Sequence, residues 1–428
     1  MNLAGSPAPA SAQDGDRGAT TAQIIAYFAP LSLLVVLVNP VNELVDIAVS
    51  FILKDQLHAT ASAVSRFRFI VALPVYGSLA FGLARDLWNP LGRRDRGHLI
   101  LFSLLTAAVL AVLAMAKVSY GVLLVGMLGA MAAFRFVDAA CQGLLALIGQ
   151  EQLMSGRLSA LWNAVQALPL AVGALASGWV AQHLSARALF LMVAALTLGV
   201  TLLGLWKPRA VFERAYAAPQ AQGSSLVGDL KRLVRHRAIW APLAAFLLWN
   251  FSPGSSTPLQ YYLTNTLHGS DALFGVYNAI YLAAFLPVYL AYGWLCRRFS
   301  LRTLLIAGTL ITIPQMVPLV LIHSAREALL WAAPVGLMGA LAGAAYYDLA
   351  IRSCPPGLQG ALMMCMDAAL YLAYRGGDIV GSAIYDADPR RGFLWCVLLT
   401  TAAYAAILPV LRLVPAGLAE RRDGEAIA

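Results

Sequence analysis

Four polar stripes cross otherwise apolar stretches of this sequence. Asn39, Asn42, Glu43 and Asp46 recur at helical spacing, and so do Arg135, Asp138 and Gln142. Tyr347, Asp348 and Arg352 form a third stripe, and Asp367, Tyr371, Arg375 and Asp378 a fourth. A charge inside hydrocarbon is costly unless it is paired or wet, so these side chains should face protein or water rather than lipid. A carboxylate there whose protonation differs between two conformations can link proton movement to a conformational change. Glu43, Asp46, Asp138, Asp348, Asp367 and Asp378 are therefore candidate proton-coupling groups. Arg135 and Arg375 keep their charge when desolvated, and each can grip an anion through two parallel hydrogen bonds. Equally, Arg135 with Asp138 and Arg375 with Asp378 are one-turn pairs that could simply neutralise each other and hold helices in register. Glu43 and Asp46 lie near the end of their apolar stretch, where plain solvation is the competing reading.

Trp249, Asn250, Gln260 and Tyr261 set aromatic faces beside amides, which suits a flat heteroaromatic ring. With Tyr371, Arg135 and Arg375 they are the candidate substrate-binding residues. Trp and Tyr near helix ends also serve as interfacial anchors, and that reading stays open here. Pro253, Gly254 and Pro258 free backbone carbonyls in the same stretch and predict a bend. The sequence has no Gly-Lys phosphate loop, HExxH pair or Gly-x-Ser-x-Gly elbow. Its five cysteines are scattered, without ligand spacing. Neither an enzyme nor a metal or other cofactor is expected.

The elements that must position these residues follow from composition. Of 428 residues 60% are apolar and only 12% charged, and mean hydropathy is +0.72. Apolar stretches of about twenty residues, each able to cross a ~30 Å hydrocarbon core, recur from end to end. Backbone groups in lipid must be satisfied within the segment, so these are helices; barrel strands would alternate apolar and polar residues, which these blocks do not. The expectation is an all-α membrane protein of about twelve spans in two six-helix bundles. The spans are placed at 24–48, 60–84, 98–116, 119–145, 158–183 and 187–206, then at 239–265, 272–295, 303–322, 328–351, 360–385 and 392–413. Domains follow as a disordered tail 1–22, a bundle 23–206, a polar linker 207–238, a second bundle 239–413 and a tail 414–428.

The net charge of +9 is spread through short loops, which speaks against a nucleic-acid surface. Roughly twenty Lys and Arg fall in the tails and the loops after even-numbered spans, against about six in the other loops. That bias places both termini and the linker in the cytoplasm of a cell inner-membrane protein. The run KRLVRHR in the linker reads as an amphipathic helix at anionic headgroups, making membrane lipid a partner.

From Gly82 to Arg94, the residues Gly82, Asp86, Gly92, Arg93 and Arg94 resemble the loop signature of the major facilitator superfamily, with a longer gap between Asp86 and Gly92 that is similar to the version in the folate-biopterin transporter family. SFILKDQL at 50–57, VDAACQ at 137–142, LWNFSPGSSTPLQYYLTNTL at 248–267 and RSCPPGLQGALM at 352–363 resemble that family too. The chain departs from it at Gln359, where an acidic residue is expected. The resemblance implies that the first, fourth, seventh and tenth helices line a central cavity with the second, fifth, eighth and eleventh beside them. It also makes Gly82, Asp86, Gly92, Arg93 and Arg94 gating residues. Repeated halves with a midplane site between them suit a secondary transporter.

The function expected is transport of a small organic anion, folate-like or pterin-like by the resemblance, through alternating access coupled to an ion, namely a proton. A non-transporting assembly protein on the same fold and a drug or metabolite exporter are the alternatives.

Overall fold

The computed structural model of the chain describes residues 10–42, 45–46, 49–50, 52–217, 226–388 and 391–425. Glu43 lies outside them. Helices fall where hydropathy places the spans. The first six are Ala10–Val38, Ala61–Leu87 with kinks at Ala72 and Gly77, Asp95–Met115, Tyr120–Glu151, Ser155–His183 and Ala186–Leu205. In the second half come Trp240–Asn250 continued by Thr257–Thr266, Asp271–Arg298 kinked at Ala284, Leu301–Thr312 continued by turns to Val320, Ala325–Arg352, Gln359–Ala387 and Gly392–Leu411. Among the described residues, nine of these are long and apolar enough to cross a membrane by length and composition alone. The seventh span misses that test because it is broken after Asn250, at the expected bend, where the chain runs non-helically to Ser256. The eleventh carries Asp367, Arg375, Asp378 and Asp386.

One boundary differs from expectation. The first helix begins at Ala10, inside the segment 1–22 expected to be a disordered tail; the alanines there favour helix. In the linker, Arg209–Ala217 and Leu226–Arg235 are helical, the second carrying Lys231 to Arg235 of the run read as an amphipathic helix. Ser and Thr fix several starts: Thr60, Ser119, Ser185, Ser270, Ser300 and Ser324 each accept a backbone N–H from the first turn of the helix they cap.

The two halves repeat one another in the backbone at the end of their first spans. A π-turn at Ile52–Gln56 matches one at Tyr262–Thr266, and Leu57 and Leu267 donate back to Ile52 and Tyr262. His58 and His268 then both take the left-handed conformation before the capping residues Thr60 and Ser270.

The fourth, fifth, tenth and eleventh helices are most buried toward one end of the molecule. Val137–Gly149, Ala342–Ile351 and Gln359–Met364 are each buried without interruption, whereas Tyr374, Arg375, Ile379 and Val380 are exposed. The two halves therefore meet at the end that carries the C-terminal segment and the loops after the second, fourth, eighth and tenth spans, here called the terminal face.

Closure at that face needs Gly82 and Gly360. A Cβ on Gly82 would stand 2.4 Å from the Gly360 carbonyl oxygen and 2.8 Å from the Ala361 Cα, with no flexible side chain to give way. Gly82→Ala should therefore destabilise the closed arrangement by about 1–3 kcal/mol, moving the conformational ratio at least about fivefold and up to about a hundredfold. Spin labels at Glu151 and Arg297, exposed positions on opposite halves of this face, would report a longer separation in the variant. An unchanged distance distribution would show that the helices slide to accommodate the methyl group.

Candidate functional site

Arg135 lies on the fourth span, 1% exposed, at the level where the halves meet. Its Nη1 donates to Asp138 Oδ2 at 2.7 Å, one turn along the same helix. Nη2 donates to Ser78 Oγ of the second span at 2.8 Å and to Asp367 Oδ2 of the eleventh. Gln142 donates to the other Asp138 oxygen at 2.9 Å, and Tyr347 of the tenth span donates to Gln142 at 3.3 Å. Trp162 of the fifth span stacks on Tyr347 at 6.0 Å between centroids. One hydrogen-bonded chain thus joins the second, fourth, tenth and eleventh spans and crosses between the halves. Its ions are one guanidinium and two carboxylates. Asp367, with 18% of its side chain exposed, is the more accessible of the two carboxylates.

Arg375 is two turns beyond Asp367, about 12 Å along the helix, on the exposed part of the eleventh span. The expected one-turn pair with Asp378 does not form. Asp378 instead accepts the Thr257 N–H at 3.1 Å, serving the restart of the broken seventh span, and Tyr374 donates to Ser256 at 2.9 Å beside it. Arg375 packs over the Tyr374 ring at 6.0 Å and forms no ion pair with any described carboxylate. Tyr371 lies one turn below, partly buried. Asp46 is paired with Arg68 at 2.8 Å.

The seventh-span candidates divide. Trp249 packs edge-on against Tyr346, 6.0 Å away, in a space that Gly343 leaves open. Asn250 donates back to Phe246 in its own helix, and Tyr261 is exposed with its ring 6.2 Å from Tyr385. Gln260 is half buried.

Asp348 is away from Arg135, in a lock at the terminal face. Arg352 Nε bonds Asp348 Oδ1 at 2.8 Å and Ser155 Oγ at 3.0 Å, and Tyr292 donates to Asp348 Oδ2 at 3.0 Å. A second lock is built on Asp86, whose carboxylate accepts the Gly360 N–H at 3.1 Å and the Ala361 N–H at 2.7 Å, at the start of the eleventh span. Its ion-pair partner is Arg85 at 2.7 Å, and Arg85 also pairs with Asp95. Gly92, at φ +63°, makes the turn that follows, and the Arg94 N–H donates to Asn89 at 2.6 Å. Ser78, Arg85, Asp95 and Tyr292 were not among the expected site residues. Arg85 stands inside the loop signature and was readable; the others become visible only once helices are packed.

Across residues 31–377 the sequence matches the profile of the Major Facilitator Superfamily. The chain belongs to that superfamily. As a facilitator-superfamily transporter it is similar to a folate-biopterin transporter from Synechocystis, 26% identical over 91% of this chain and 82% of the relative. Its fold matches FucP, a transporter of the same superfamily solved in an outward conformation, with a TM-score of 0.67 at 17% identity over 91% of this chain and 98% of that one. It also matches the human organic anion transporter MFSD10 with a TM-score of 0.66 at 16% identity, covering 92% and 99% of the two chains. The superfamily assignment makes this facilitator a multi-pass membrane protein.

Proposed function

We propose that this facilitator moves a small organic anion, of folate or pterin type, by alternating access coupled to protons. The observation that carries the reading is the Arg135 group, in which one arginine from the first half holds one aspartate of its own half and one of the other. A guanidinium with two carboxylates leaves one surplus negative charge in the membrane interior, and a single proton removes it. Proton binding then weakens a contact between the halves. Anion selection rests on Arg375, a permanent cation with no carboxylate to neutralise it among the described residues, and on the rings of Tyr374 and Tyr371 beside it. The name of the 26%-identical relative supports the substrate class.

The Lys and Arg bias supports cytoplasmic termini and a cytoplasmic linker in an inner-membrane protein. Helix Leu226–Arg235 turns Val227, Leu230 and Val234 outward, flanked by Lys231 and Arg235. The Val234 carbonyl accepts the indole N–H of Trp240, first residue of the seventh span, at 3.1 Å. That face suits anionic headgroups at the membrane surface.

The test is uptake into proteoliposomes of pterins, folates and other organic anions, with and without an imposed proton gradient. Arg375→Lys keeps the charge but loses the planar fork, so affinity for a carboxylate substrate should fall about tenfold, roughly 1.4 kcal/mol, while a neutral analogue is unaffected. Thermal stability should hold, because no buried partner is stranded. Undiminished affinity in Arg375→Lys and Arg375→Ala would remove Arg375 from the site.

A further inference from the structure

The C-terminal segment lies across the terminal face and bonds both halves at once. On the first half, Asp423 Oδ1 accepts the Gly156 N–H at 2.9 Å, Asp423 Oδ2 pairs with Arg157 at 2.6 Å, and the Gly424 N–H donates to the Leu153 carbonyl at 2.7 Å. On the second half, the Asp423 N–H donates to the Cys296 carbonyl at 2.9 Å and the Arg421 carbonyl accepts the Leu301 N–H at 3.2 Å. Arg352 Nη1 adds bonds to the carbonyls of Arg421 at 2.9 Å and Leu418 at 3.3 Å. The Asp423 side chain is fully buried, although it belongs to a terminal segment rather than a span. Gly424 takes φ +94°, a left-handed turn that glycine adopts without strain, and this lets the chain reach Leu153.

We infer that residues 416–425 are a strap whose docking site is the seam between the halves, formed by the start of the fifth span, the end of the eighth and the end of the tenth. Asp423 is its central anchor. A buried carboxylate holding a backbone N–H and a guanidinium from one half, while its own N–H is held by the other, cannot keep all its bonds when the halves part. Opening the terminal face therefore requires the strap to leave, and undocking sets part of the balance between the two conformations. Arg352 couples the strap to the Asp348 lock, since one guanidinium serves both. The inference concerns conformation alone and holds for any substrate.

The experiment measures the Glu151 to Arg297 spin-label distance in a background whose five native cysteines are replaced. Asp423→Ala, and the chain ended at Pro415, should both raise the ratio of long to short separations about tenfold, ~1.4 kcal/mol. A specific protease sequence inserted between Val414 and Ala416 lets the strap be cut from protein already folded, so a folding defect cannot imitate the result. A peptide of residues 413–428 added to the cut protein should restore the short distance. Identical distance distributions before and after the cut would overturn the inference, as would a change that the peptide fails to reverse.

Discussion

Asp367→Asn should abolish uptake driven uphill by a proton gradient, by about a hundredfold, while exchange of substrate across the membrane stays within a few fold of wild type. A hundredfold is ~2.7 kcal/mol, a little below the 3–5 kcal/mol typically lost when a buried ion pair loses one member outright, as suits a substitution that keeps an acceptor in place. The carboxamide keeps the shape and an acceptor for Arg135, so the Arg135 group stays assembled. Its charge then sums to zero without a proton. Asp138 already holds Arg135 and Gln142 within its own half, whereas Asp367 is partly exposed, so water can deliver a proton to it, and it is the only charge in the group from the opposite half. Asp138→Asn should accordingly cost thermal stability along with transport. Arg135→Ala strands both carboxylates and should fold poorly, with partial rescue when Asp367→Asn is added. Gradient-driven accumulation that survives in Asp367→Asn would move proton coupling to another carboxylate and leave this one an interhelical tie.

What hydropathy and spacing could reach explains which parts of this site were legible. A helical period fixes contacts one turn apart, so Arg135 with Asp138 was foreseeable and is present at 2.7 Å. The same rule predicted Arg375 with Asp378, and there it failed. Pro253, Gly254 and Pro258 break the seventh span, the Thr257 N–H at the restart has no partner within its helix and needs an acceptor, and Asp378 turns toward it instead of toward Arg375. The break was readable from the prolines, but its partner was not, since periodicity carries no information about which face meets which neighbour. Asp367 with Arg135 and Asp86 with Gly360 are likewise contacts between spans far apart in sequence. The tail illustrates the opposite difficulty. Asp423 sits among arginines, small residues and glutamates that read as a solvated end, and only packing shows its carboxylate buried.

Asp86→Ala should open the terminal face, reducing transport at least tenfold while substrate binding changes only a few fold. The wild-type carboxylate spans the two free N–H groups that begin the eleventh span, so it both satisfies orphan donors and places a negative charge at the positive end of that helix. Two charge-assisted bonds across the halves are worth about 1.5–3 kcal/mol each, enough to shift a closely balanced equilibrium by tenfold or more. Arg85 is not left unpaired in the variant, because Asp95 still holds it, so the protein should fold and the loss should fall on the interface between halves. Asp86→Asn removes the charge but retains one acceptor, and its shift should be smaller and in the same direction. Asp86→Glu keeps the charge on a longer stem, but Gly360 comes so close that a Cβ placed on it would lie 2.8 Å from the Asp86 carboxylate. There is no room for an added methylene, and Asp86→Glu should open the face although no charge is lost. The Glu151 to Arg297 distance, measured alongside substrate affinity and transport, separates these cases. A terminal face that stays closed in Asp86→Ala would mean that the strap and the Asp348 lock suffice without it. In that event the combination of Asp86→Ala with Asp423→Ala should open the face by more than the two single changes together, because each lock would have been masking the loss of the other.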